Sequence, residues 1–336
     1  MNTIRITINN LLQKIGFGNQ YYGVDCKNLI LEIKDEVPSD HVDWVIRHGG
    51  FDKLGYHGKG ERISVLDTGC DIGHKDLIGK VSAACFINGC TDNPPYLDNL
   101  GHGTFCMGEI VANKDEKGVI GVAYEATGFA GKVLYGDGRD GSMSMFENAL
   151  ANGIRMSVAE GCGVISMSLG SKSKSNKIQE ALAFAVDSGV IPFAASGNEG
   201  LDGSLYASYP ASYKDCISVA AADSNDLPAW FSTAGLSGTV EEQPELAIAS
   251  LEYYWGCLPG SKYGKMIGTS MSCPMAAGVA LLWRQAMREK GLLGAGREII
   301  GQYREWIQRV SNDINKNGWD AELGWGTLLL DPNEMP

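Results

Sequence analysis

Val164-Ile-Ser-Met-Ser-Leu169, then Asn176-Lys-Ile-Gln-Glu-Ala-Leu-Ala-Phe-Ala-Val-Asp-Ser-Gly189, then Val190-Ile-Pro-Phe-Ala-Ala195: these three stretches decide the fold class of the chain. The first and third are short and apolar on both faces, as strands buried inside a parallel sheet are. The middle one has helical spacing, with Ile178, Leu182, Ala185 and Val186 on one face, Asn176 placed to cap the start and Gly189 to end it. Strand, helix, strand is a βαβ unit. Working outward, residues 63–66, 132–135, 216–221 and 246–249 are further apolar runs separated by stretches of helical spacing. Repetition of the unit predicts an α/β fold: a mostly parallel central sheet with helices on both faces and working side chains at the carboxyl ends of its strands.

The composition narrows what such a fold can do. The chain has 336 residues, 44% of them hydrophobic and 20% charged, which is ample for a buried core. Its 28 Lys and Arg against 40 Asp and Glu give a net charge of −12, so neither nucleic acid nor an anionic membrane is expected as a partner. The longest apolar run, 275–283, is too short to cross a bilayer. Met1-Asn-Thr-Ile-Arg-Ile-Thr-Ile-Asn-Asn has no apolar secretory core, and the nine cysteines include no CxxC pair; both point to a cytoplasmic location with reduced thiols. Glycine is abundant, 44 residues, and dispersed, which means many tight turns. Residues 1–42 mix short apolar clusters with polar surroundings and are expected to be an N-terminal extension. Residues 43–336 carry no linker or repeat and are expected to form one domain.

Three local patterns carry chemistry. Arg62-Ile-Ser-Val-Leu-Asp67-Thr-Gly69 is an apolar strand that delivers a carboxylate at its carboxyl end. Asn99-Leu-Gly101-His102-Gly103-Thr104 sets an imidazole between two glycines, where backbone can approach closely. Gly268-Thr269-Ser270-Met271-Ser272-Cys273-Pro274 leads into a strongly helical run, and a proline is tolerated in a first turn, so Ser270 should sit at a helix N-terminus. A serine hydroxyl becomes a nucleophile when a base takes its proton and a carboxylate fixes the tautomer of that base. All five histidines lie at or before residue 102, so a histidine base acting with Ser270 has to come from the first third of the chain. Phe193-Ala-Ala-Ser-Gly197-Asn198 ends a strand on an amide that can donate to a developing oxyanion.

In this order the motifs resemble those of the subtilisin-like serine proteases, or subtilases, over residues 43–330: Asp67-Thr-Gly, His102-Gly-Thr, Ala195-Ser-Gly-Asn198 and Gly-Thr-Ser270-Met-Ser-Cys-Pro274. Because about 42 residues are too few for both a signal peptide and a foldase prodomain, the resemblance is closest to intracellular or phage-associated subtilases. It implies a three-layer fold and an endopeptidase acting on extended or unfolded polypeptide. In that reading Ser270 attacks, His102 moves the proton, Asp67 orients His102, and Asn198 helps hold the oxyanion. It implies a substrate bound as an added strand between Gly138 and Ser168-Leu169-Gly170, with Ala195, Ser196, Gly197 and Ser208 lining a small, uncharged specificity pocket that Glu199 borders. It further implies a structural Ca²⁺ held by Asp76, Asp115 and loop carbonyls such as those of Asn113, Lys117 and Val119. The N-terminal extension becomes a candidate inhibitory segment lying in the cleft.

Some positions depart from the family pattern. Phe105 and Cys106 follow His102-Gly-Thr, and Cys273 and Met275 flank Pro274, yet none removes a catalytic group. Cys106 resembles the thiol that some subtilases carry beneath the histidine. Gly136-Asp-Gly138-Arg-Asp-Gly141 has the spacing of a dinucleotide loop, but Asp137 and Asp140 would face pyrophosphate. Asp313-Ile-Asn315-Lys-Asn317-Gly318 starts like an EF-hand but has Gly324 in place of the closing Glu, so a turn is expected. An α/β-hydrolase order fails, because no histidine follows residue 102. The remaining alternative is a catalytically silent subtilase fold used as a binding or structural protein.

Overall fold

A computed structural model describes residues 32–37, 43–116, 118–136, 139, 141–200, 207–235, 243–251, 254–314 and 318–336. Its strands in chain order are β1 (Ile33–Lys34), β2 (Arg62–Asp67), β3 (Val81–Cys85), β4 (Thr127–Lys132), β5 (Val164–Met167), β6 (Ile191–Ala195), β7 (Ile217–Ala222), β8 (Leu246–Ala249), β9 (Tyr254–Leu258), β10 (Lys262–Met266), β11 (Ser311–Asn312) and β12 (Thr327–Leu328). Its α-helices are α1 (Trp44–His48), α2 (His102–Val111), α3 (Met143–Ala159), α4 (Asn176–Asp187), α5 (Thr269–Glu289) and α6 (Glu298–Val310).

The main sheet runs β11-β12-β8-β7-β6-β5-β2-β4-β3, and its seven strands from β8 to β3 are all parallel. Alternate side chains of each strand enter opposite cores, as the pleat requires. Ile63 and Val65 of β2, Val164 of β5 and Phe193 of β6 join one core with Met271, Leu281 and Trp283 of α5. Leu66, Ile165 and Ala194 join the other with Leu150, Ile154, Leu182 and Ala185 of α3 and α4. Helices therefore cover both faces, as expected of the α/β fold. Strand β2 lies between β4 and β5, where the order of the chain through the sheet reverses, and open parallel sheets place their sites at the strand ends beside such a point. A smaller antiparallel sheet, β1-β10-β9, carries the chain into α5.

Three expectations need correction. The strand expected at 132–135 is Thr127–Lys132, in register with β2 from Arg62–Thr127 to Asp67–Lys132. Its two glycines hid it: a Cβ on Gly128 would lie 2.5 Å from Met107 Sδ, and one on Gly131 2.5 Å from Leu66 Cδ2. Small residues are needed there because large neighbours fill the space. Helix α4 is capped by Ser175 rather than Asn176, the Ser175 hydroxyl accepting from the Ile178 N–H at 3.4 Å. The β9-β10 hairpin and β3 were not foreseen, since neither run is continuously apolar. Among the described residues all eight cysteines are free, and no helix is long and apolar enough to cross a membrane.

The far half of α5 is tied to the start of β2 by ions. Glu61, nearly fully buried, accepts from Arg284 Nε at 3.0 Å and Arg288 Nε at 2.8 Å, and Arg284 also reaches the Gly189 carbonyl at 3.1 Å. Removing one partner of a buried pair strands the other charge. Glu61→Ala should therefore lower unfolding stability by about 3 kcal/mol. Urea melts read this as a lower midpoint at unchanged slope; an unchanged midpoint would refute it.

Candidate active site

Strand β2 ends on Asp67, whose Oδ1 accepts from the Thr68 N–H at 2.7 Å and bonds His102 Nδ1 at 2.6 Å. Both side chains are buried. His102 begins α2, and the two glycines around it have separate reasons. Gly101 holds φ +88°, a left-handed value that favours glycine, and a Cβ on Gly103 would lie 2.2 Å from the Gly69 carbonyl oxygen. Bonding through Nδ1 fixes the neutral tautomer, leaving Nε2 as the acceptor; that atom is buried and has no partner among the described residues. Burial works against the imidazolium. The charge and hydrogen bond of Asp67, together with the charge of Asp98, outweigh it and hold the His102 pKa above its ordinary 6.5.

Asp98 was missed in the sequence. It is buried and accepts from Thr68 Oγ1 at 2.8 Å, Leu100 N at 3.1 Å and Gly101 N at 2.8 Å through one oxygen. Its other oxygen accepts from Thr104 N at 2.8 Å and Thr104 Oγ1 at 2.6 Å. It thereby captures N–H groups that the start of α2 leaves unbonded and fixes where His102 stands. The local part of the signal was present, since an aspartate two residues before Leu100 and three before Gly101 has the spacing of a side-chain-to-backbone turn, whereas its bond to Thr104 N depends on how the chain folds back.

Ser270 lies in the first turn of α5, as expected. Pro274 lacks the N–H that would bond its carbonyl, so that oxygen needs other donors. Ser168 Oγ supplies one at 2.7 Å and Cys106 Sγ another at 3.6 Å. Cys106 is fully buried, and burial pushes its thiol well above the ordinary range, which keeps it a neutral donor. The Ser270 hydroxyl itself donates to the Ser168 carbonyl at 3.4 Å. Asn198 Oδ1 accepts from both Thr269 N and Thr269 Oγ1 at 3.0 Å, so the amide is turned with its NH₂ away from Thr269.

A pocket of about 270 Å³, partly open solvent, adjoins Ser270. Ser168, Leu169, Gly170, Ala195, Gly197 and Ser208 line it, together with Asn198 and Glu199. Two expectations change here. Ser196 is buried behind the wall and does not line the pocket. Glu199 is in the wall, its Oε2 accepting from Thr233 Oγ1 at 3.0 Å, so the pocket carries a carboxylate. Gly138 and Lys117 lie outside the described residues, as do Asp137 and Asp140 of the dinucleotide-like loop and Asn315 and Asn317 of the EF-hand-like run. In that run the Gly318 N–H donates to Asp313 Oδ2 at 2.6 Å.

Asp76 is buried below the loop 112–121. Its Oδ2 accepts from the Val119 N–H at 2.9 Å, its carbonyl from the Asn113 N–H at 2.7 Å, and the Tyr263 hydroxyl lies 2.9 Å from both carboxyl oxygens. Burial raises the Asp76 pKa, and the charge of Asp115 adds to that rise. A second carboxylate acting on the buried Asp76 is the feature that would suit a hard cation such as Ca²⁺, which would have to displace the Val119 N–H and Tyr263 hydroxyl from the Asp76 oxygens. The cluster His74, Asp76 and Cys257 does not suit a softer metal. Both His74 nitrogens are engaged, with Asp76 N at 3.1 Å and the Lys262 carbonyl at 3.0 Å, and burial keeps Cys257 a thiol.

Comparison with known proteins gives concordant results. A family model described as "Subtilase family" matches residues 58–326. Over 229 residues the chain is 38% identical to Subtilisin E of Bacillus subtilis (strain 168), covering 68% of this chain and 56% of that protein. Over 263 residues it is 34% identical to Thermitase of Thermoactinomyces vulgaris, covering 78% and 84%. Over 231 residues it is 38% identical to Subtilisin BL of Lederbergia lenta, covering 69% and 78%. The chain thus spans a little over half the length of the first of these relatives.

The Asp67–His102 bond can be tested by titration alone. By NMR the His102 ring should keep its proton to a pH above 6.5. In Asp67→Asn the attraction is gone and burial remains, so the midpoint should fall below the wild-type value. An equal midpoint in the two proteins would show that the pair is not electrostatically coupled.

Proposed function

Since the chain belongs to the subtilase family, we propose that it is a serine endopeptidase in which Asp67, His102 and Ser270 form the triad and Asn198 the oxyanion hole. The observation that carries this reading is the buried 2.6 Å Asp67–His102 bond, which leaves His102 Nε2 without a partner among the described residues. Cys106 supports the proximity: its sulfur lies within 4.8 Å of the Asp67 and His102 ligand atoms and 3.6 Å from the Ser270 carbonyl oxygen. The silent alternative has one observation in its favour, the Ser270 hydroxyl resting on the Ser168 carbonyl rather than on His102. A turn about the single Cα–Cβ bond of Ser270 releases it.

In the proposed reaction Ser270 Oγ adds to the scissile carbonyl carbon as its proton passes to His102 Nε2, with Asp67 stabilising the imidazolium. The oxyanion is held by the Asn198 amide and the Ser270 main-chain N–H, one of the unbonded donors at the start of α5. The imidazolium then protonates the departing amine, and water repeats the sequence on the acyl-enzyme. An extended polypeptide adds a strand beside Ser168-Leu169-Gly170 and Gly138, and one side chain enters the pocket. The small walls admit a long apolar or aromatic side chain, and Glu199 favours a basic tip over an acidic one. Asp76, Asp115 and the carbonyls of Asn113, Lys117 and Val119 are proposed to hold Ca²⁺, which would stiffen the 112–121 loop. Residues 1–42 are proposed to occlude the cleft. In support, β1 adds to β10, the strand that runs into Ser270 through 267–268.

A fluorophosphonate should add one label to the protein, at Ser270, and none to Ser270→Ala. Labelling should be faster in a chain lacking residues 1–42, and a folded, uninhibited protein with no adduct would sink the peptidase reading. Asn198→Ala should lower kcat about 10²–10³-fold, the loss measured for such a donor in subtilisin itself.

Chelator should lower the melting temperature of the wild type and leave that of Asp76→Asn unmoved. Equal responses in the two proteins would remove Asp76 from the calcium site.

A further inference from the structure

Glu109 lies on α2 two turns after His102, with its carboxyl buried. Tyr254, at the start of β9, sets its hydroxyl against Glu109 Oε1 and 3.2 Å from the main-chain oxygen of Met271, the residue after Ser270. A phenol has one hydrogen to give. With Glu109 ionised, both neighbours of that hydroxyl are acceptors, and one goes without a proton. With Glu109 protonated, its O–H donates to Tyr254, Tyr254 donates to Met271, and the three groups are satisfied in series.

We propose that Glu109 is a positioning residue: as a neutral acid it directs the Tyr254 proton onto the Met271 carbonyl, bracing the turn that carries Ser270 against the helix that carries His102. The brace rests on the peptidase reading of those two residues. Burial favours the neutral acid and pushes Glu109 well above the usual carboxylate range; the Tyr254 bond acts the other way, and the charge of Asp43 adds to the rise. The groups facing the pair are Asp43, from the segment before α1, and Cys106, one turn earlier on α2. Neither is a cation that would favour ionisation. Glu109 Oε2 has no partner among the described residues, a condition far costlier for a carboxylate than for an acid. Cys106 already donates to the Ser270 carbonyl, and Glu109, one turn later on α2, reaches the next carbonyl through Tyr254. These contacts oppose sliding of α2 along the first turn of α5, and an error of about 1 Å between base and nucleophile costs about a hundredfold in rate.

The experiment uses the full chain and three variants, Glu109→Gln, Glu109→Leu and Tyr254→Phe. Infrared difference spectra at neutral pH, wild type minus Glu109→Gln, should show the carbonyl band of a protonated carboxylic acid. This arm does not depend on turnover. With a chromogenic peptide, Glu109→Leu and Tyr254→Phe should lose about tenfold or more in kcat with KM changed by no more than about twofold. Glu109→Gln keeps a donor towards Tyr254 and should stay within about threefold of wild type. Absence of the acid band, or a Glu109→Gln as slow as Glu109→Leu, overturns the brace. If neither the wild type nor the chain freed of residues 1–42 turns over peptide, the peptidase reading fails, and the infrared arm alone decides whether Glu109 holds the proton.

Discussion

From Thr269 to Trp283, helix α5 is buried at every position, so it has no face that it can turn to water. It is enclosed by β5, β6, β7 and β8 on the sheet side and by α2 on the other. Ser270 therefore has the positional precision of the core although it lines an open pocket. The arrangement has a local cost, because Pro274 leaves the Ser270 carbonyl without its helical partner. Ser168 comes from the end of β5 and Cys106 from α2, so the donors that repair this gap also tie together the elements meeting around the site.

Buried charge is used in two ways around that helix. Asp67 keeps one oxygen on Thr68 and His102, and its other oxygen is unpartnered among the described residues, which suits a group whose partner gains and loses charge. Asp98 takes five donors and is fully satisfied, which suits a group that only fixes geometry. The two aspartates are neighbours through Thr68, whose N–H goes to one and hydroxyl to the other.

The fold and the residues that meet at the candidate site were legible because each is a local pattern. The runs around 63–66, 164–169 and 190–195 are apolar on both faces, and a strand buried on both sides has to be. Asp67, His102 and Ser270 sit at punctuated strand and helix ends, where glycine and proline betray close backbone approach. What escaped depends on partners distant in the chain. Thr127–Lys132 reads poorly because Gly128 and Gly131 answer the bulk of Met107 and Leu66. The placement of Glu199 is set by Thr233, and the pairing of Glu109 with Tyr254 spans 145 positions. The cap of α4 was misread by one position because Ser175 and Asn176 are both good caps, and only backbone geometry chooses between them.

Strand order also sets a sequence in time. β2, which carries Asp67, pairs with β4 and β5, so its seat is completed only when residues near 164–166 have been made. Helix α5 fills the face across β5 to β8 and begins at residue 269, after all of those strands. A chain growing from its N-terminus can therefore build the Asp67–His102 pair long before Ser270, the proposed nucleophile, exists to meet it. On the proposed peptidase reading, the nascent chain is for most of its synthesis chemically harmless to itself and to its neighbours.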